Sequence, residues 1–174
     1  HSIPTPPFCV VSSPADFAGI RTFKPALVKP LHEGSSKGIF DASVVRTPRE
    51  LQTEVEKILL EYDQPAMIEK FLPGREFTVA LLGNGSTVKV LPIVEIKFDS
   101  LPKGVNPIYS YEVKWIWDRV EHPLDVHECP ARIDKILRDK IESICRKAFQ
   151  ALGCRDWCRI DVRLDELGEP QVLE

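Results

Sequence analysis

The chain has 174 residues and a formal net charge of −3, with 43% hydrophobic and 28% charged residues. These values are typical of a globular protein with one domain or two small ones. The charge gives no reason to expect nucleic acid as a partner. No apolar run approaches membrane-spanning length and no signal peptide is recognisable, so we expect no membrane partner either.

The five cysteines follow no metal-binding or disulfide pattern. Cys154 and Cys158 are four positions apart rather than in a C-x-x-C motif, and no histidine lies near them in the sequence to complete a zinc site. Each cysteine lies in or beside an apolar segment, where free thiols are commonly buried. We therefore predict reduced core cysteines and a cytoplasmic protein.

The first part of the chain alternates short strands with helices. Three apolar runs predict strands: Phe8–Val11, Ala26–Val28 and Ser43–Val45. Ser13 and Pro14 suit the N-cap and first position of a helix. Thr47 and Glu50 form a capping box that begins a second helix. The buried face of that helix has helical spacing: Leu51, Val55, Ile58, Leu59 and Tyr62.

The second part is dominated by strands and one long helix. Apolar runs predict further strands at 66–68, 76–82, 88–96, 108–117, 157–164 and 171–174. Gly83-Asn84-Gly85 predicts a hairpin with a type I′ turn. An apolar stripe predicts a helix over Pro130–Leu152, with Gly153 just beyond its end. Consecutive hairpin strands indicate an antiparallel sheet and an α+β fold, so we place the domain boundary near Gly74, between residues 1–74 and 75–174.

The stretch KPLHEGSSKGI, Lys29 to Ile39, follows a buried strand with glycines, serines and lysines. Small residues let a backbone approach a ligand, and successive free N–H groups form an anion-binding nest. Lys29 adds a fixed positive charge. The composition indicates a loop that closes over phosphate, although surface loops are built from the same residues.

Three further polar groups are candidates for a site. Glu69 and Glu76 flank the Pro-Gly turn beside an apolar patch, where they suit a ribose and an exocyclic amine or are simply surface residues. Lys114 alternates with aromatic neighbours on a predicted strand and points either into a cleft or to solvent.

The third group is formed by Arg159, Asp161 and Glu174 at the end of the chain. Arg159 and Asp161 are two apart on a strand, so they share a face. A tight return brings Glu174 opposite Asp161. Paired carboxylates suit Mg²⁺ bound together with nucleotide phosphates, and a cross-strand salt bridge is the alternative interpretation.

The order of these motifs resembles that of the D-alanine–D-alanine ligase family of the ATP-grasp superfamily. KPLHEGSSKGI resembles the family's KP-x-x-EGSS-x-G loop, and MIEKFLPGREFTVALL resembles its adenine hinge and following strand. YSYEVKW resembles YDYEAKY, CPA recurs before the long helix, and LGCRDWCRIDVRLDELGEPQVLE resembles the metal-binding hairpin. The resemblance runs from about Ile3 to Glu174. It implies an ATP-grasp fold, with a small α/β half, an antiparallel-sheet half and ATP bound between them.

The resemblance also implies roles for individual residues. Lys29 and Lys114 match lysines that contact the nucleotide phosphates, and Ser35 and Ser36 match the loop that closes over the γ-phosphate and substrates. The adenine and ribose positions are matched by five residues: Glu69, Lys70, Phe71, Leu72 and Glu76. Arg159 matches the arginine that stabilises the tetrahedral oxyanion, and Asp161 and Glu174 match ligands of Mg²⁺, which Mn²⁺ can replace.

The implied reaction is an ADP-forming ligation of two D-alanines through an acyl phosphate, for peptidoglycan synthesis. Two alternatives stay open: a related ligase with other amino-acid substrates, and a nucleotide-binding module without catalysis. Trp115 stands where the family usually has Tyr or Phe, at a position associated with the second substrate. Together with His32 in the loop, it keeps the choice of substrates open. The family's N-terminal substrate domain and the segment after its final glutamate are not matched. We therefore expect these residues alone to be inactive, and the parent protein to be a homodimer.

Overall fold

The computed structural model describes residues 2–17, 20 and 23–174. Contacts divide the chain into two compact units. The first unit consists of Pro7–Phe71 and Leu101–Leu124, and the second of the stretch up to Pro6, Leu72–Ser100 and Asp125–Glu174. The predicted boundary near residue 74 is close to the division after Phe71, but the stretch 101–124 groups with the first unit.

The first unit is a four-stranded antiparallel sheet with one long helix. Its strands are β1 (Phe8–Val11), β2 (Ala26–Pro30), β3 (Val44–Val45) and β4 (Ala66–Lys70), in the order β1-β4-β2-β3. Helix α1 spans Pro48–Glu61 and begins with the predicted capping box, in which the Thr47 hydroxyl and the Glu50 carboxylate each accept a backbone N–H of the other residue.

The core of the first unit lies between its sheet and α1. The alternation in β2 is regular: Ala26, Val28 and Pro30 are buried, and the residues between them are half-buried. From α1 the inward side chains are Leu51, Val55 and Ile58, at the spacing that the sequence predicts. The helix predicted after Ser13 is only a single 3₁₀ turn, which spans Pro14–Phe17. The Asp16 carboxylate accepts the N–H groups of Ser12 and Ser13, which lowers the pKa of Asp16.

The prediction of a strand over 108–117 is wrong, because Glu112–Trp117 is a π-helix. Two atoms of Ser110 explain the difference. The backbone carbonyl of Ser110 accepts the N–H of Lys114 at 3.0 Å, and its hydroxyl accepts the N–H of Val113 at 3.4 Å. Local hydrogen bonds to serine compete with strand pairing, and here they turn the backbone into a helix despite the alternating pattern.

The second unit is built on a six-stranded antiparallel sheet. Its strands are β5 (Glu76–Leu82), β6 (Lys89–Val90), β7 (Val94–Ile96), β8 (His127–Glu128), β9 (Trp157–Leu164) and β10 (Pro170–Val172). The order is β10-β9-β5-β7-β8, and β6 also pairs with β5. The central pairing joins β5 to β9 over seven residue pairs, from Glu76 opposite Arg163 to Leu82 opposite Trp157.

Two details of the predicted hairpin after β5 are wrong. A type I′ turn needs positive φ at both central residues, but Asn84 has φ −135°, while Gly83 has φ +110°. The Asn84 side chain is engaged instead with Asp156, to which it donates and from whose backbone N–H it accepts. The predicted strand 88–96 is split into β6 and β7 around Pro92, which has no N–H for a sheet ladder.

The long helix α2 spans Lys135–Ala151, so the prediction that it begins at Pro130 was five residues early. Its N-cap is Asp134, whose carboxylate accepts the N–H of Leu137 at 2.8 Å. The predicted end is confirmed: Gly153 has φ +66°, and the next N–H, of Cys154, donates to the carbonyl of Phe149. Ile136 and Leu152 are exposed rather than part of the buried stripe, which packs on the sheet through Ile141, Cys145, Ala148 and Phe149.

All five cysteines are free thiols, but they are not all core residues as predicted. Cys129 is exposed, whereas Cys145 is buried and Cys158 is half-buried. Burial raises the pKa of Cys145 to about 12 and that of Cys158 to about 11. In the part of the chain that the structure describes, no helix is both long and apolar enough to span a membrane.

Replacing the N-cap of α2 tests where this helix begins. Asp134→Ala is expected to lower the free energy of unfolding by about 1 kcal/mol, because the N–H of Leu137 loses its acceptor. Asp139→Ala, the matched control on the same helix, removes only an exposed ion pair with Lys135 and is expected to cost less than about 0.5 kcal/mol. Urea unfolding measures both variants, and equal losses would contradict the assignment of Asp134.

Alkylation of the native protein tests the cysteine environments. Since the thiolate is the reacting form, the raised pKa of Cys158 is expected to make it react about a hundredfold more slowly than an ordinary thiol at pH 8.5. Its rate should rise with pH up to about pH 11. Peptide mass spectrometry after iodoacetamide should find Cys129 labelled first and Cys145 last. Early labelling of Cys145 would contradict its burial.

Candidate functional site

The Gly/Ser loop, residues 29–39, has two consecutive residues in the left-handed backbone region. Ser35 has φ +56° and Ser36 has φ +60°, a conformation that costs a residue with a Cβ about 1 kcal/mol. The N–H of Lys37 donates to the Gly34 carbonyl at 3.1 Å, and that of Ile39 donates to the Ser36 carbonyl at 3.0 Å. The loop therefore folds as two successive tight turns.

One backbone carbonyl and one side chain from the stretch 109–115 hold these turns in place. The Ser36 hydroxyl donates to the Tyr109 carbonyl at 2.7 Å, and the Trp115 indole N–H donates to the Ser35 carbonyl at 3.2 Å. On the other side, Gly38 lies so close to Pro30 that a Cβ would come within 2.3 Å of the proline ring. Only glycine fits there, with its φ of +79°.

Lys29 and Glu69 form an ion pair within the first unit. The distance from Lys29 Nζ to Glu69 Oε1 is 3.1 Å, and Glu69 is 5% exposed. The pair follows from the register of β2 and β4: Met67 is opposite Lys29, so Glu69, two residues further along, shares its face. The sequence indicated both residues separately but did not indicate that they are partners.

Lys114 lies on the π-helix rather than on a strand. Its ammonium is 5.7 Å from the ring centroid of Tyr109 and 5.7 Å from that of Trp115, within range of cation–π attraction. Among the described residues it forms no ion pair with a carboxylate. This leaves a half-buried positive charge on the segment that holds Ser35 and Ser36.

The predicted hinge, Lys70 to Leu72, begins at the last residue of β4. The N–H of Lys70 donates to the Pro7 carbonyl at 2.9 Å, and that of Phe71 donates to the Pro25 carbonyl at 3.2 Å. Lys70 and Phe71 are half-buried and end the first unit, whereas Leu72 is buried and belongs to the second. The division between the units therefore falls inside the predicted hinge.

In the second unit, Glu76 pairs with an arginine that sequence reasoning missed. Glu76 and Arg163 stand opposite each other on β5 and β9, with 2.8 Å between Glu76 Oε2 and Arg163 Nη1. Arg163 is 4% exposed, and its guanidinium also lies 5.4 Å from the ring centroid of Phe98. Its position two residues after Asp161 was a signal, because period-two spacing places both on one face.

Arg159 and Asp161 interact along β9, as their spacing predicts. Arg159 Nε is 3.2 Å from Asp161 Oδ1, the oxygen that also accepts the Thr78 hydroxyl at 2.7 Å. The Asp161 N–H donates to the Glu174 carbonyl at 2.8 Å, so the chain return brings Glu174 beside Asp161. Within the second unit, the structure thus brings all three predicted residues together.

The chemistry of these donors fits Mg²⁺. Carboxylate oxygens are its preferred protein ligands, and it is usually bound by one or two of them together with substrate phosphates. Among the residues that the structure describes, no group of three or more His, Cys, Asp or Glu is arranged to hold a metal by itself. Asp161 and Glu174 supply two carboxylates of the kind that Mg²⁺ prefers.

The two antiparallel sheets with their helices form an α+β fold of the ATP-grasp class, which the chain shares with solved ligase structures. More narrowly, it belongs to the family described as D-ala D-ala ligase C-terminus, whose model matches residues 4–174. The predicted α+β ATP-grasp fold and the family resemblance are both confirmed.

Individual proteins are similar to this chain over all or nearly all of its length. The uncharacterized protein y4sG of Sinorhizobium fredii is 38% identical over 172 residues, which are 99% of this chain and 48% of that protein. A D-alanine--D-alanine ligase of Bordetella petrii is 33% identical over 176 residues, covering 100% of this chain and 49% of the relative.

Among solved structures, VanG D-Ala:D-Ser ligase from Enterococcus faecalis matches with a TM-score of 0.75 at 24% identity. The match covers 99% of this chain and 47% of that one. At this identity the likeness shows the fold alone. This chain spans about half the length of the curated relatives it matches.

Breaking the pair between Glu76 and Arg163 tests its contribution to the second unit. Glu76→Ala is expected to lower the free energy of unfolding by about 3 kcal/mol, because it leaves the buried Arg163 charge without this carboxylate. Glu169→Ala, which breaks an exposed pair with Lys140, serves as the control and should cost less than about 1 kcal/mol. Similar urea midpoints for the two variants would show that the buried pair adds no more than the exposed one.

Proposed function

We propose that the protein that carries this chain is an ATP-dependent, ADP-forming ligase that joins two D-alanine molecules for peptidoglycan precursor synthesis. The observation that carries the proposal is the family match over residues 4–174, which spans every residue of the candidate site. The D-alanine--D-alanine ligase that is 33% identical supports the choice of substrates.

In the first unit, we assign the nucleotide's polar contacts to lysines, serines and one glutamate. Lys29, fixed by its ion pair with Glu69, and Lys114, held over two aromatic rings, neutralise phosphate charge. The loop at Ser35 and Ser36 closes over the γ-phosphate. Glu69 accepts a hydrogen bond from the adenine amino group, and the hinge from Lys70 to Leu72 packs against the base.

In the second unit, Glu76 is assigned to the ribose hydroxyls, and Arg159 to the oxyanion that develops on the reacting carboxyl carbon. Asp161 and Glu174 would hold Mg²⁺, which supplies a positive charge that offsets the charge of the triphosphate. The Thr78 hydroxyl donates a hydrogen bond to Asp161 Oδ1, which orients this carboxylate. Arg159, 51% exposed at its side chain and adjacent to Asp161, is free to reach a substrate oxygen.

The proposed reaction has two steps, a phosphoryl transfer and an acyl transfer. A carboxylate oxygen of the first D-alanine attacks the γ-phosphorus, the bond from that phosphorus to the β-phosphate oxygen breaks, and ADP leaves. The amine of the second D-alanine then attacks the acyl carbon, the bond from that carbon to the bridging oxygen breaks, and inorganic phosphate leaves with this oxygen. The proton lost by the nitrogen passes to the departing phosphate. The protein's residues position reactants and stabilise charge, which is where most catalysis of phosphoryl transfer originates.

ADP release by the whole protein, with Mg-ATP and a panel of D- and L-amino acids, tests this proposal. We expect turnover with D-alanine and formation of the dipeptide. Asp161→Asn is expected to lower kcat by about a hundredfold, because it removes one of the two carboxylates that would hold Mg²⁺ beside the phosphates. Asp139→Asn, on the exposed face of α2, is the matched control and should match the wild type.

Three outcomes of this assay would overturn parts of the proposal. Turnover with another amino acid only would keep the ligase chemistry and replace the substrate. Binding of ATP without turnover on any amino acid would indicate a nucleotide-binding module. Normal turnover by Asp161→Asn would remove this carboxylate from the site.

A further inference from the structure

A network of hydrogen bonds ties the stretch 106–112 to the last residue of the Gly/Ser loop and to the residues that follow it. The Tyr111 N–H donates to the Ile39 carbonyl at 2.7 Å, one residue after Gly38. The aromatic rings of Phe40 and Tyr111 lie 5.7 Å apart at their centroids. All these residues belong to the first unit.

Asp41 is the centre of this network. Its carboxylate accepts the backbone N–H of Asn106 at 2.7 Å and the side-chain amide of Asn106 at 3.0 Å. Its own backbone N–H donates to Glu112 Oε1 at 3.3 Å. Asn106 in turn accepts from the Arg46 guanidinium at 2.6 Å. Asp41 thus connects both ends of the stretch that carries Tyr109, and the connection at the far end is Glu112.

Glu112 is half-buried, and its second carboxylate oxygen, Oε2, is shielded from solvent without a hydrogen-bond partner among the described residues. A buried polar atom without a partner costs about 1–3 kcal/mol and calls for an explanation. Stability alone offers none, because a smaller apolar side chain would avoid this cost. The contact that Glu112 does make, through Oε1, anchors the segment whose next residues include Lys114 and Trp115.

We propose that Glu112 is a positioning residue: by fixing the π-helical segment to Asp41, it holds Ser35 and Ser36 in their left-handed conformation for the nucleotide's phosphates. The loop is contacted by the carbonyl of Tyr109, which precedes this segment, and by the indole of Trp115 within it. Both are three residues from Glu112, on either side of it. Movement of the segment would therefore release both serines together, and Lys114 with them.

The part of this inference that concerns phosphate rests on the proposed function, and the part that concerns loop order does not. The two are separated by measuring hydrogen exchange of the loop amides and the KM for ATP in the same variants of the whole protein. Glu112→Ala removes the acceptor of the Asp41 N–H, whereas Glu112→Gln keeps an oxygen there. Glu54→Ala is the matched control, because Glu54 is a buried glutamate of the same unit, on α1.

In Glu112→Ala we expect amide exchange over 35–39 to become about tenfold faster, with exchange in β2 and β4 unchanged, because one hydrogen bond to a charged group has been lost. The KM for ATP should rise about tenfold while kcat changes less than about threefold, since fewer molecules have a competent loop. Glu112→Gln should restore both values to within about twofold. Glu54→Ala should leave both unchanged, whatever its effect on stability.

Unchanged loop exchange in Glu112→Ala would overturn the proposal. So would faster exchange with an unchanged KM for ATP, because the ordered loop would then not serve the nucleotide. If the wild-type protein turns over no ATP, the proposed function fails, and the exchange data alone decide whether Glu112 orders the loop. Should Glu112→Ala not fold, Asn106→Ala is measured in its place, because it removes the side-chain amide that donates to the carboxylate and the backbone carbonyl of Asp41 at the other end of the same segment.

Discussion

The left-handed conformation of Ser35 and Ser36 is the constraint on which the first unit's candidate site depends. A backbone that is unfavourable by about 1 kcal/mol at each serine persists only if other contacts compensate for it. The compensating hydrogen bonds come from the stretch 109–115, about 75 residues further along the chain. This explains why the stretch 101–124 groups with the first unit although the second unit surrounds it in the sequence.

In the second unit, the candidate site depends on the two-residue period of β9, which places alternate side chains on one face. Arg159, Asp161 and Arg163 share one face of the strand, and β5 supplies Thr78 and Glu76 opposite them. Each charge on this face has a partner of opposite sign or a hydrogen-bond donor. Such an arrangement holds two carboxylates and two arginines in fixed positions, as the proposed binding of a nucleotide with its metal ion requires.

Much of this fold could be predicted from the sequence, because the decisive signals are local. The capping box at Thr47, the glycine after α2 and the apolar runs of β5 and β9 depend only on neighbouring residues. The ion pair between Lys29 and Glu69 could not be predicted, since it depends on β4 pairing with β2 across a helix. The π-helix was missed because the hydrogen bonds of Ser110 outweighed an alternating pattern that is typical of a strand.

The roles of the site residues rest on the family resemblance rather than on geometry that the sequence could supply. Motif order indicated Lys29, Glu69, Lys114 and Asp161 separately, but no sequence pattern indicated that Glu112 and Asp41 would connect the loop to its supporting segment. Such contacts depend on tertiary packing between stretches that are about 70 residues apart. They can be read only from the folded chain.

The measurement that tests the central claim most directly follows the carboxylate oxygen of the first substrate. With D-alanine labelled by ¹⁸O in its carboxyl group, an acyl phosphate intermediate transfers one labelled oxygen to inorganic phosphate for each dipeptide formed. We predict this transfer, together with ADP as the nucleotide product. Unlabelled phosphate, or the formation of AMP, would contradict the proposal that the protein carrying this chain is an acyl-phosphate-forming ligase.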